Sequence, residues 1–574
     1  MPRAVPLEGL IRAGRGLEPA DLVLKNGRVL NVYSGEIYET DVAIAYEHVV
    51  GLGPGYKGKK EIDVNGLTLL PGFLDGHLHI ESSMVEVPQF ARAVVPLGTT
   101  SVVADPHEIA NVMGYEGIRY MMEASKYNPL NVFFMLSSCV PSSNLESAGS
   151  ELRAFDIFPF LQERWVLGLA EVMNFPGVLE LQGDLLDKIK IAGEKRIDGH
   201  APGLTGKDLN AYIAAGIGSD HECTTVEEAR EKLRLGMYVM LREGTGAKNL
   251  VDLLPLITPE NSRRCFFVTD DRHPQDILEE GHINHMIKTA IRHGLDPVTA
   301  VRMATLNGTE YFGLRKLGAI APGRYADIVA IDNFQDFNIR YVFKNGELVA
   351  QDGEATFTLP PRPPAKIRGS VNIKWLEGDE FVIPARGKRV RVIGVVPDQI
   401  VTRALEMEAP IRDGEVVSDP DRDVLKICVV ERHRATGNIG KGLVFGIGLK
   451  KGAIVSSIAH DSHNIVVVGV NDEDIFKAVT TINKLGGGLA VVADGQVLEA
   501  LQLPVGGLMS QLSMSEVSEA LKRLNRAAHE LGSPLKDPFM TLSFLALPVI
   551  PELKLTDLGL VDVSRFEVVD LFVD

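Results

Sequence analysis

The sequence lacks several features that would place the protein in particular classes. Only four of its 574 residues are cysteine, at positions 139, 223, 265 and 428. Their spacing matches no Cys-x-x-Cys pattern, so they favour reduced thiols in a cytoplasmic protein over a disulfide framework. No apolar run approaches the roughly 18 to 20 residues that cross a membrane, and the first residues show no signal-peptide pattern. We therefore expect a cytoplasmic protein without a membrane partner.

Basic residues are also in the minority. The chain has 59 Lys and Arg against 76 Asp and Glu, which gives a formal net charge of −17. Binding to a polynucleotide depends on basic surface, so this charge argues against a nucleic-acid partner. The hydrophobic content of 45% is sufficient for several buried cores, and the length predicts two or three domains. We expect a small-molecule substrate and a homo-oligomer.

The most informative stretch is residues 71–79, PGFLDGHLH. Side chains alternate along a strand, so His77 and His79 would point to the same side. Neutral imidazole is a ligand for Zn, Mn or Fe, although a single His-x-His pair also occurs in ordinary packed strands. The whole Pro-Gly-x-x-Asp-x-His-x-His pattern resembles the first barrel strand of the amidohydrolase superfamily.

A strand, a turn and a helix-length amphipathic segment recur after this stretch. Alternation of strand and helix predicts a parallel sheet, and eight units over roughly 250 residues are typical of a (β/α)8 TIM-type barrel. We predict this barrel over residues 71–315. Its strands are expected near residues 74–80, 100–105, 132–138, 166–172, 196–200, 216–221, 238–242 and 265–270.

Two further regions flank the barrel and complete an α/β architecture. A Lys-Asn-Gly sequence, which favours a hairpin turn, occurs at residues 25–27 and again at 344–346. We interpret residues 1–70 and 316–360 as one small, split β-sandwich domain. A proline-rich linker, residues 359–364, leads to a C-terminal α+β domain predicted over residues 361–574.

Polar residues stand where the predicted barrel strands end, which is where barrel enzymes carry their active residues. The fourth strand has no lysine, whereas hydantoinases and dihydroorotases use a carbamylated lysine there to bridge two metals. Glu171 can supply a bridging carboxylate directly. The predicted metal ligands are His77, His79, Glu171, His200, His221 and Asp270, which suffice for a binuclear site.

Four more motifs are similar to those of the bacterial adenine deaminase family. They are GHLHIESS at residues 76–83, ADPHEIAN at 104–111, DGHAPG at 198–203 and TDDRHP at 269–274. The resemblance implies hydrolytic deamination of adenine to hypoxanthine and ammonia in purine salvage, with a metal-activated hydroxide attacking C6. It points to Mn²⁺ as the metal, with Fe²⁺ or Zn²⁺ as alternatives.

The same resemblance suggests catalytic roles. Asp270 is expected to move a proton from the attacking hydroxide to the leaving amine. Glu108 and His107 are candidates for protonating the ring nitrogen N1, although DPHE is equally typical of a helix start. Alternatives for the whole chain are another amidohydrolase acting on a cyclic amide or another purine, an adenosine deaminase, and a non-catalytic scaffold.

Three residues are candidates for contacting the substrate. Arg242 follows the seventh predicted strand, where it could equally pair with Glu243. His460 and His463 lie in the sequence AHDSHN at residues 459–464 of the C-terminal region. Turn chemistry also explains this sequence, but a second domain could cover the barrel mouth and exclude water. We therefore predict that His460 or His463 lies near the substrate.

Overall fold

The computed structural model of the protein describes residues 6–360, 369–397 and 399–574. A short helix, α1 (Leu7–Gly14), precedes five strands of the first β region. These strands are β1 (Ala20–Leu30), β2 (Ile37–Ala45), β3 (His48–Leu52), β4 (Gly58–Asp63) and β5 (Thr68–Pro71). Strand β1 pairs with β4 along its first half and with β5 along its second half, so the sheet branches there.

Eight parallel strands follow and close into a barrel. They are β6 (Phe73–Leu78), β7 (Thr99–Ala104), β8 (Asn131–Leu136), β9 (Val166–Val172), β10 (Arg196–Gly199), β11 (Ser219–Asp220), β12 (Tyr238–Arg242) and β13 (Cys265–Val268). Strands β6 to β10 form one ladder and β11 to β13 another. The gap between β10 and β11 is closed where the N–H of Gly218 donates to the carbonyl of Ile197 at 2.9 Å.

The ring also closes between its last strand and its first. The N–H of Asp270 donates to the carbonyl of His77 at 3.0 Å. The predicted (β/α)8 fold is therefore confirmed.

Helices connect the barrel strands and cover the outside of the barrel. They are α2 (Val87–Val94), α3 (His107–Ala124), α4 (Ala154–Leu161), α5 (Phe175–Leu179), α6 (Gly183–Ala192), α7 (Gly206–Ala214), α8 (Val226–Arg234), α9 (Leu250–Leu253), α10 (Pro274–Glu279), α11 (Ile283–Arg292), α12 (Pro297–Met303) and α13 (Leu306–Tyr311). Successive side chains of a barrel strand belong to different apolar clusters. In β8, Phe134 packs in the same cluster as outer-helix residues, whereas Phe133 and Met135 belong to a second cluster with Phe266 of β13. This alternation is the period of two expected for a strand that is buried on both faces.

The chain then returns to the first sheet. Its strands there are β14 (Ile328–Ile331), β15 (Ile339–Lys344), β16 (Glu347–Gln351) and β17 (Glu354–Ala355). Strand β14 pairs antiparallel with β5, which joins the two parts of the sheet. The proline-rich linker predicted over residues 359–364 lies outside the described residues from position 361 onward.

The C-terminal region combines a large sheet with three helices. Its strands are β18 (Arg389–Val395), β19 (Thr402–Glu408), β20 (Ile411–Arg412), β21 (Glu415–Val416), β22 (Val424–Val430), β23 (Ile439–Phe445), β24 (Ala453–Ser456), β25 (Ile465–Gly469), β26 (Gly488–Ala493), β27 (Gln496–Gln502), β28 (Leu553–Thr556), β29 (Gly559–Asp562) and β30 (Glu567–Val569). Its helices are α14 (Asp472–Leu485), α15 (Met514–Glu530) and α16 (Pro538–Phe544). Eight of these strands form one sheet in the order β19-β18-β23-β22-β25-β24-β26-β27.

This region is joined to the barrel by backbone contacts near the strand ends. The N–H of Ser510 donates to the carbonyl of Met84 at 2.7 Å, and the N–H of Glu86 donates to the carbonyl of Ser510 at 3.1 Å. Both barrel residues follow β6, so the C-terminal region lies over the mouth of the barrel. None of the helices in the described part of the chain has the length and apolar character that a membrane crossing requires.

The two Lys-Asn-Gly sequences have different structures. Residues 344–346 form the expected turn between β15 and β16, and Asn345 and Gly346 have φ values of 52° and 80°. The hairpin predicted at residues 25–27 is wrong, because β1 runs through it without reversing. Asn26 has φ of 60° at an irregularity in the pairing of β1 with β2, so the same residues here form a bulge.

A buried ion pair supports the junction of this β region with the barrel. Lys344 Nζ lies 3.0 and 2.8 Å from the two carboxylate oxygens of Asp327, and the Asp327 carbonyl accepts from the N–H of Gly72 at 2.8 Å. We predict that Asp327→Ala lowers the free energy of unfolding by about 3–5 kcal/mol, because it leaves the Lys344 charge buried without a partner. Chemical denaturation followed by circular dichroism measures the change.

Asp352→Ala is the matched control. Its pair with Arg340, at 3.0 Å, has about half of both side chains exposed, so a loss of about 0–1 kcal/mol is expected. Equal losses in the two variants would contradict the importance of the buried pair.

Candidate active site

The six predicted metal ligands converge at the carboxyl ends of the barrel strands. We call this group, His77, His79, Glu171, His200, His221 and Asp270, the Glu171 cluster. His79 Nε2 lies 3.4 Å from Glu171 Oε1 and 3.1 Å from Asp270 Oδ1. His77 Nε2 lies 3.7 and 3.8 Å from the same two oxygen atoms. Strands β6, β9 and β13 supply these groups, so residues that are nearly 200 positions apart face one small volume.

Glu171 lies between two pairs of imidazoles. Its Oε1 faces His77 and His79, whereas its Oε2 lies 2.7 Å from His200 Nδ1 and 3.2 Å from His221 Nε2. Each pair of imidazoles therefore faces a different oxygen of the carboxylate. A carboxylate placed in this way would suit a site that holds two cations.

The electrostatics of the cluster agree with this arrangement. Burial raises the pKa of Glu171, but hydrogen bonds from imidazoles, those of His200 and His221 foremost, outweigh burial and hold this pKa well below its ordinary value. Burial and the charge of His221 hold the pKa of His77 well below its ordinary value. Its Nε2 is buried and has no hydrogen-bond partner among the described residues. A neutral imidazole nitrogen aimed at two carboxylates fits a divalent metal site.

Asp270 is held in a specific conformation. It has φ of 57°, in the left-handed region that residues other than glycine rarely adopt. Its N–H is bonded to His77, and its Oδ2 accepts from Arg242 Nη1 at 2.9 Å. Strain of this kind persists where the surrounding structure fixes it, often at functional sites. The side chain is thereby aimed at His79 and the cluster.

Arg242 lies beside the cluster and does not line the cavity that is described below. Its guanidinium contacts Asp270 and also Glu222, whose Oε2 lies 3.2 Å from Nη2. It does not pair with Glu243 in the structure, because both of its terminal nitrogens face these other groups. The structure therefore places Arg242 where it orients Asp270.

A second buried cluster joins the barrel to the C-terminal region. It consists of Glu108, His460 and His463, and we call it the Glu108 cluster. Glu108 Oε1 lies 2.8 Å from His460 Nδ1, and Glu108 Oε2 contacts His463 Nε2. The His107 ring lies between the two clusters, with Nε2 3.4 Å from Glu108 and Nδ1 3.6 Å from Glu171. His460 and His463 thus lie next to the predicted metal ligands, although more than 350 residues separate them from Glu108 in sequence.

The protonation of this second cluster follows from its contacts. Burial raises the pKa of Glu108, but the charge of His460, together with the contacts from His463 and His107, outweighs burial and holds this pKa well below its ordinary value. Burial lowers the pKa of His460, but the carboxylate of Glu108 raises it overall to about 9. Burial lowers the pKa of His463 to about 4. At neutral pH the cluster therefore holds an imidazolium on His460 beside an ionised Glu108.

A cavity at the interface between the barrel and the C-terminal region adjoins the Glu108 cluster, whereas the six predicted metal ligands do not line it. Its polar wall includes Glu108, Asp271 and His463, and its apolar wall includes Leu508 and Phe539. The ring of His460 stacks on Phe544 with centroids 4.6 Å apart. A largely apolar wall with a few converging polar groups is typical of a site for a small organic molecule.

Comparisons with known proteins agree with this geometry. Residues 68–349 match the model of the amidohydrolase family, and residues 399–567 match the adenine deaminase C-terminal domain. Adenine deaminase 2 of Carboxydothermus hydrogenoformans is 53% identical over 98% of this chain and 99% of the relative. An adenine deaminase of Desulfatibacillum aliphaticivorans is 52% identical with the same coverage. The chain belongs to the adenine deaminase family.

One solved structure that resembles this chain does so over part of its length. A β-aspartyl dipeptidase of Fervidobacterium islandicum AW-1, solved with a bound dipeptide, has a TM-score of 0.44 and 20% identity. The match covers 59% of this chain and 98% of the dipeptidase.

One close neighbour of the cluster is absent from the predicted set. Glu222 Oε1 lies 3.6 Å from His200 Nδ1 and 3.5 Å from His221 Nε2, besides its contact with Arg242. Its position directly after His221, at the end of a barrel strand, is the signal that could have identified it. In this member of the adenine deaminase family, Glu222 therefore links Arg242 to the imidazoles.

The position of Glu171 generates a test that does not depend on turnover. We predict that wild-type apo-protein takes up two divalent metal ions per chain and that Glu171→Gln takes up fewer. A neutral amide retains the size of the side chain but cannot bridge two cations as an anion. Metal analysis after reconstitution with Mn²⁺, Fe²⁺ or Zn²⁺ and gel filtration measures the stoichiometry.

Glu163→Gln, on the exposed surface, is the control and should retain the wild-type metal content. Two metals per chain in Glu171→Gln would exclude the bridging role.

Proposed function

We propose that this protein hydrolyses adenine to hypoxanthine and ammonia, as an enzyme of purine salvage in the cytoplasm. The observation that carries the proposal is the convergence of the six predicted metal ligands beside the Glu108 cluster, which lines a cavity and is linked to Glu171 through His107. Relatives named adenine deaminase that are more than 50% identical over nearly the whole chain support the choice of substrate.

The proposed metal site is binuclear. His77, His79, Glu171, His200, His221 and Asp270 would hold the two ions. A divalent metal bound there would lower the pKa of a coordinated water molecule from 15.7 to about 7. The two carboxylates make the site richer in hard oxygen ligands than an all-imidazole site, which favours Mn²⁺ or Fe²⁺ over Zn²⁺. We propose Mn²⁺ as the activating ion.

Asp270 is the proposed group for moving a proton to the leaving amine. It adjoins His79, and Arg242 holds its second oxygen, so the first oxygen keeps a fixed direction. Hydrolysis places the oxygen of water on C6, and the two hydrogens of water end on N1 and on the departing ammonia. Asp270 would take a proton from the attacking water and deliver it to the nitrogen attached to C6.

The Glu108 cluster is the proposed source of the proton for N1. His460 is protonated at neutral pH because its pKa, raised to about 9, lies above that pH. The ion pair with Glu108 fixes the ring beside the cavity. The cluster as a unit, and not Glu108 alone, would therefore prevent negative charge from accumulating on the ring.

The C-terminal region would also exclude water from the reaction. His460 is 7% exposed and His463 is 1% exposed, although both lie at a junction between two regions of the chain. Exclusion of water strengthens the electrostatic interactions inside a site. Among the described residues, we can assign no segment to binding a ribose.

The substrate preference is the direct test of the proposal. We predict that Mn²⁺-loaded protein releases ammonia from adenine with a much higher kcat/KM than from adenosine, because we can assign none of the described segments to binding a ribose. Loading with Fe²⁺ or Zn²⁺ should give lower rates. Ammonia release is measured for each metal, and chelated protein serves as the blank.

Comparable kcat/KM values for adenine and adenosine would contradict the proposed substrate. Highest activity with Zn²⁺ would contradict the argument from ligand hardness.

The role of Asp270 has its own test. We predict that Asp270→Asn keeps the fold but lowers kcat by roughly 10²–10⁴-fold, the usual contribution of a positioned proton-transfer group. Steady-state kinetics with adenine measure the loss, and thermal denaturation checks the fold. Asp208→Asn, an exposed residue of α7, should retain the wild-type kcat, whereas near-normal turnover by Asp270→Asn would exclude its proposed role.

A further inference from the structure

Glu81 is a buried carboxyl group that has no assigned role. It lies in the 3₁₀ turn Ile80–Ser83 that follows β6, two residues beyond His79. Its side chain is almost fully enclosed, since the residue is 3% exposed. The N–H of Ile109 donates to its Oε1 at 3.2 Å. This bond and the short turn hold the carboxyl group in one place.

The other carboxyl oxygen of Glu81 is different. Oε2 is buried and accepts no hydrogen bond from the residues that the structure describes. A buried acceptor without a partner is costly, and most such atoms in folded proteins are paired. Glu81 also forms part of the wall of the cavity. A ligand in that cavity is therefore the natural partner for Oε2.

The two other carboxylates of the cavity wall are engaged differently. Both oxygens of Glu108 are taken by His460 and His463. Asp271 accepts a hydrogen bond from the hydroxyl of Ser82. Among the carboxylates of this wall, Glu81 therefore differs, because its buried Oε2 receives no hydrogen bond from the described residues.

We propose that Glu81 binds the 6-amino group of adenine through Oε2 and thereby selects the amino base over its oxo product. This inference rests on the proposed adenine deamination. Glu81 lines the cavity and stands two residues after His79, one of the proposed metal ligands. A carboxylate accepts hydrogen bonds, and the 6-amino group provides the N–H donors on that edge of adenine.

The same contact would discriminate against other bases. Hypoxanthine and guanine carry an oxygen at position 6, and this acceptor would face the acceptor of Glu81. A site that is built to bond one polar group rejects an analogue that lacks it, because the buried partner is left unpaired. Glu81 would therefore recognise adenine and also favour the release of hypoxanthine after the amine has left.

Glu81→Gln separates this role from a structural one. Glutamine has nearly the same shape, but its amide can also donate a hydrogen bond to an oxygen at position 6. Mn²⁺-loaded full-length wild type and variant are compared in KM and kcat for adenine and in inhibition by hypoxanthine and 6-methylpurine. The last compound replaces the amino group by a methyl group, so it has no N–H at position 6 and no leaving amine.

We expect kcat/KM for adenine to fall by about tenfold to a hundredfold in Glu81→Gln, the loss that follows when a buried polar group is left without its hydrogen-bond partner. Inhibition by 6-methylpurine should stay within about twofold of wild type. Hypoxanthine should inhibit the variant at least as strongly as wild type. Glu81→Ala should also lose adenine selectivity, but it provides no donor for hypoxanthine.

Glu146→Gln is the matched control. Glu146 is also buried with an unpartnered Oε2 among the described residues, but it does not line the cavity. It should leave the ratio of adenine to 6-methylpurine affinity unchanged. Metal content and thermal stability are measured for every variant.

Three results would overturn the role of Glu81. These are unchanged adenine kinetics in Glu81→Gln and Glu81→Ala, equal weakening of all three ligands, and loss of activity that follows loss of metal. Failure of wild-type protein to release ammonia from adenine would instead refute the proposed function.

Discussion

The carboxylate of Glu171 is the interaction on which the site depends. It is 3% exposed, and each of its oxygens faces a different pair of imidazoles. A buried anion in such a place is tolerable only if cations or donors surround it. The imidazoles from β6 and from the ends of β10 and β11 therefore cannot be replaced independently, because each stabilises a charge that the others share. Arg242 and Glu222 extend the same network beyond Asp270.

The closure of the barrel brings this network together. Asp75 of β6 accepts hydrogen bonds from Thr269 N at 3.1 Å and from Thr269 Oγ1 at 2.5 Å. The next residue, Asp270, is bonded through its backbone to His77. The first and last strands are thus joined at the point where both carry functional side chains. Asp75, the aspartate of the PGFLDGHLH stretch, therefore holds the first and last strands together beside the site, although it does not line the cavity.

The sequence predicted the parts of this structure that follow from local periodicity. The eight barrel strands and the groups at their ends can be inferred because strand ends in a closed barrel share one face. Contacts between distant regions could not be inferred in this way. The pairing of Glu108 with His460 joins residues 352 positions apart, and no local pattern encodes it. The Lys-Asn-Gly error has the same origin, since sheet pairing decides whether residues 25–27 form a turn or a bulge.

His107 connects the two halves of the site. Its Nδ1 lies 3.1 Å from Asp105 and 3.6 Å from Glu171, whereas its Nε2 lies 3.4 Å from Glu108. One imidazole therefore contacts a carboxylate of the metal-type cluster and a carboxylate of the cavity wall. Because Glu108 in turn holds two histidines of the C-terminal region, any movement of that region changes the charge beside His107. The C-terminal region thus belongs to the electrostatics of the barrel site and is more than a cover over it.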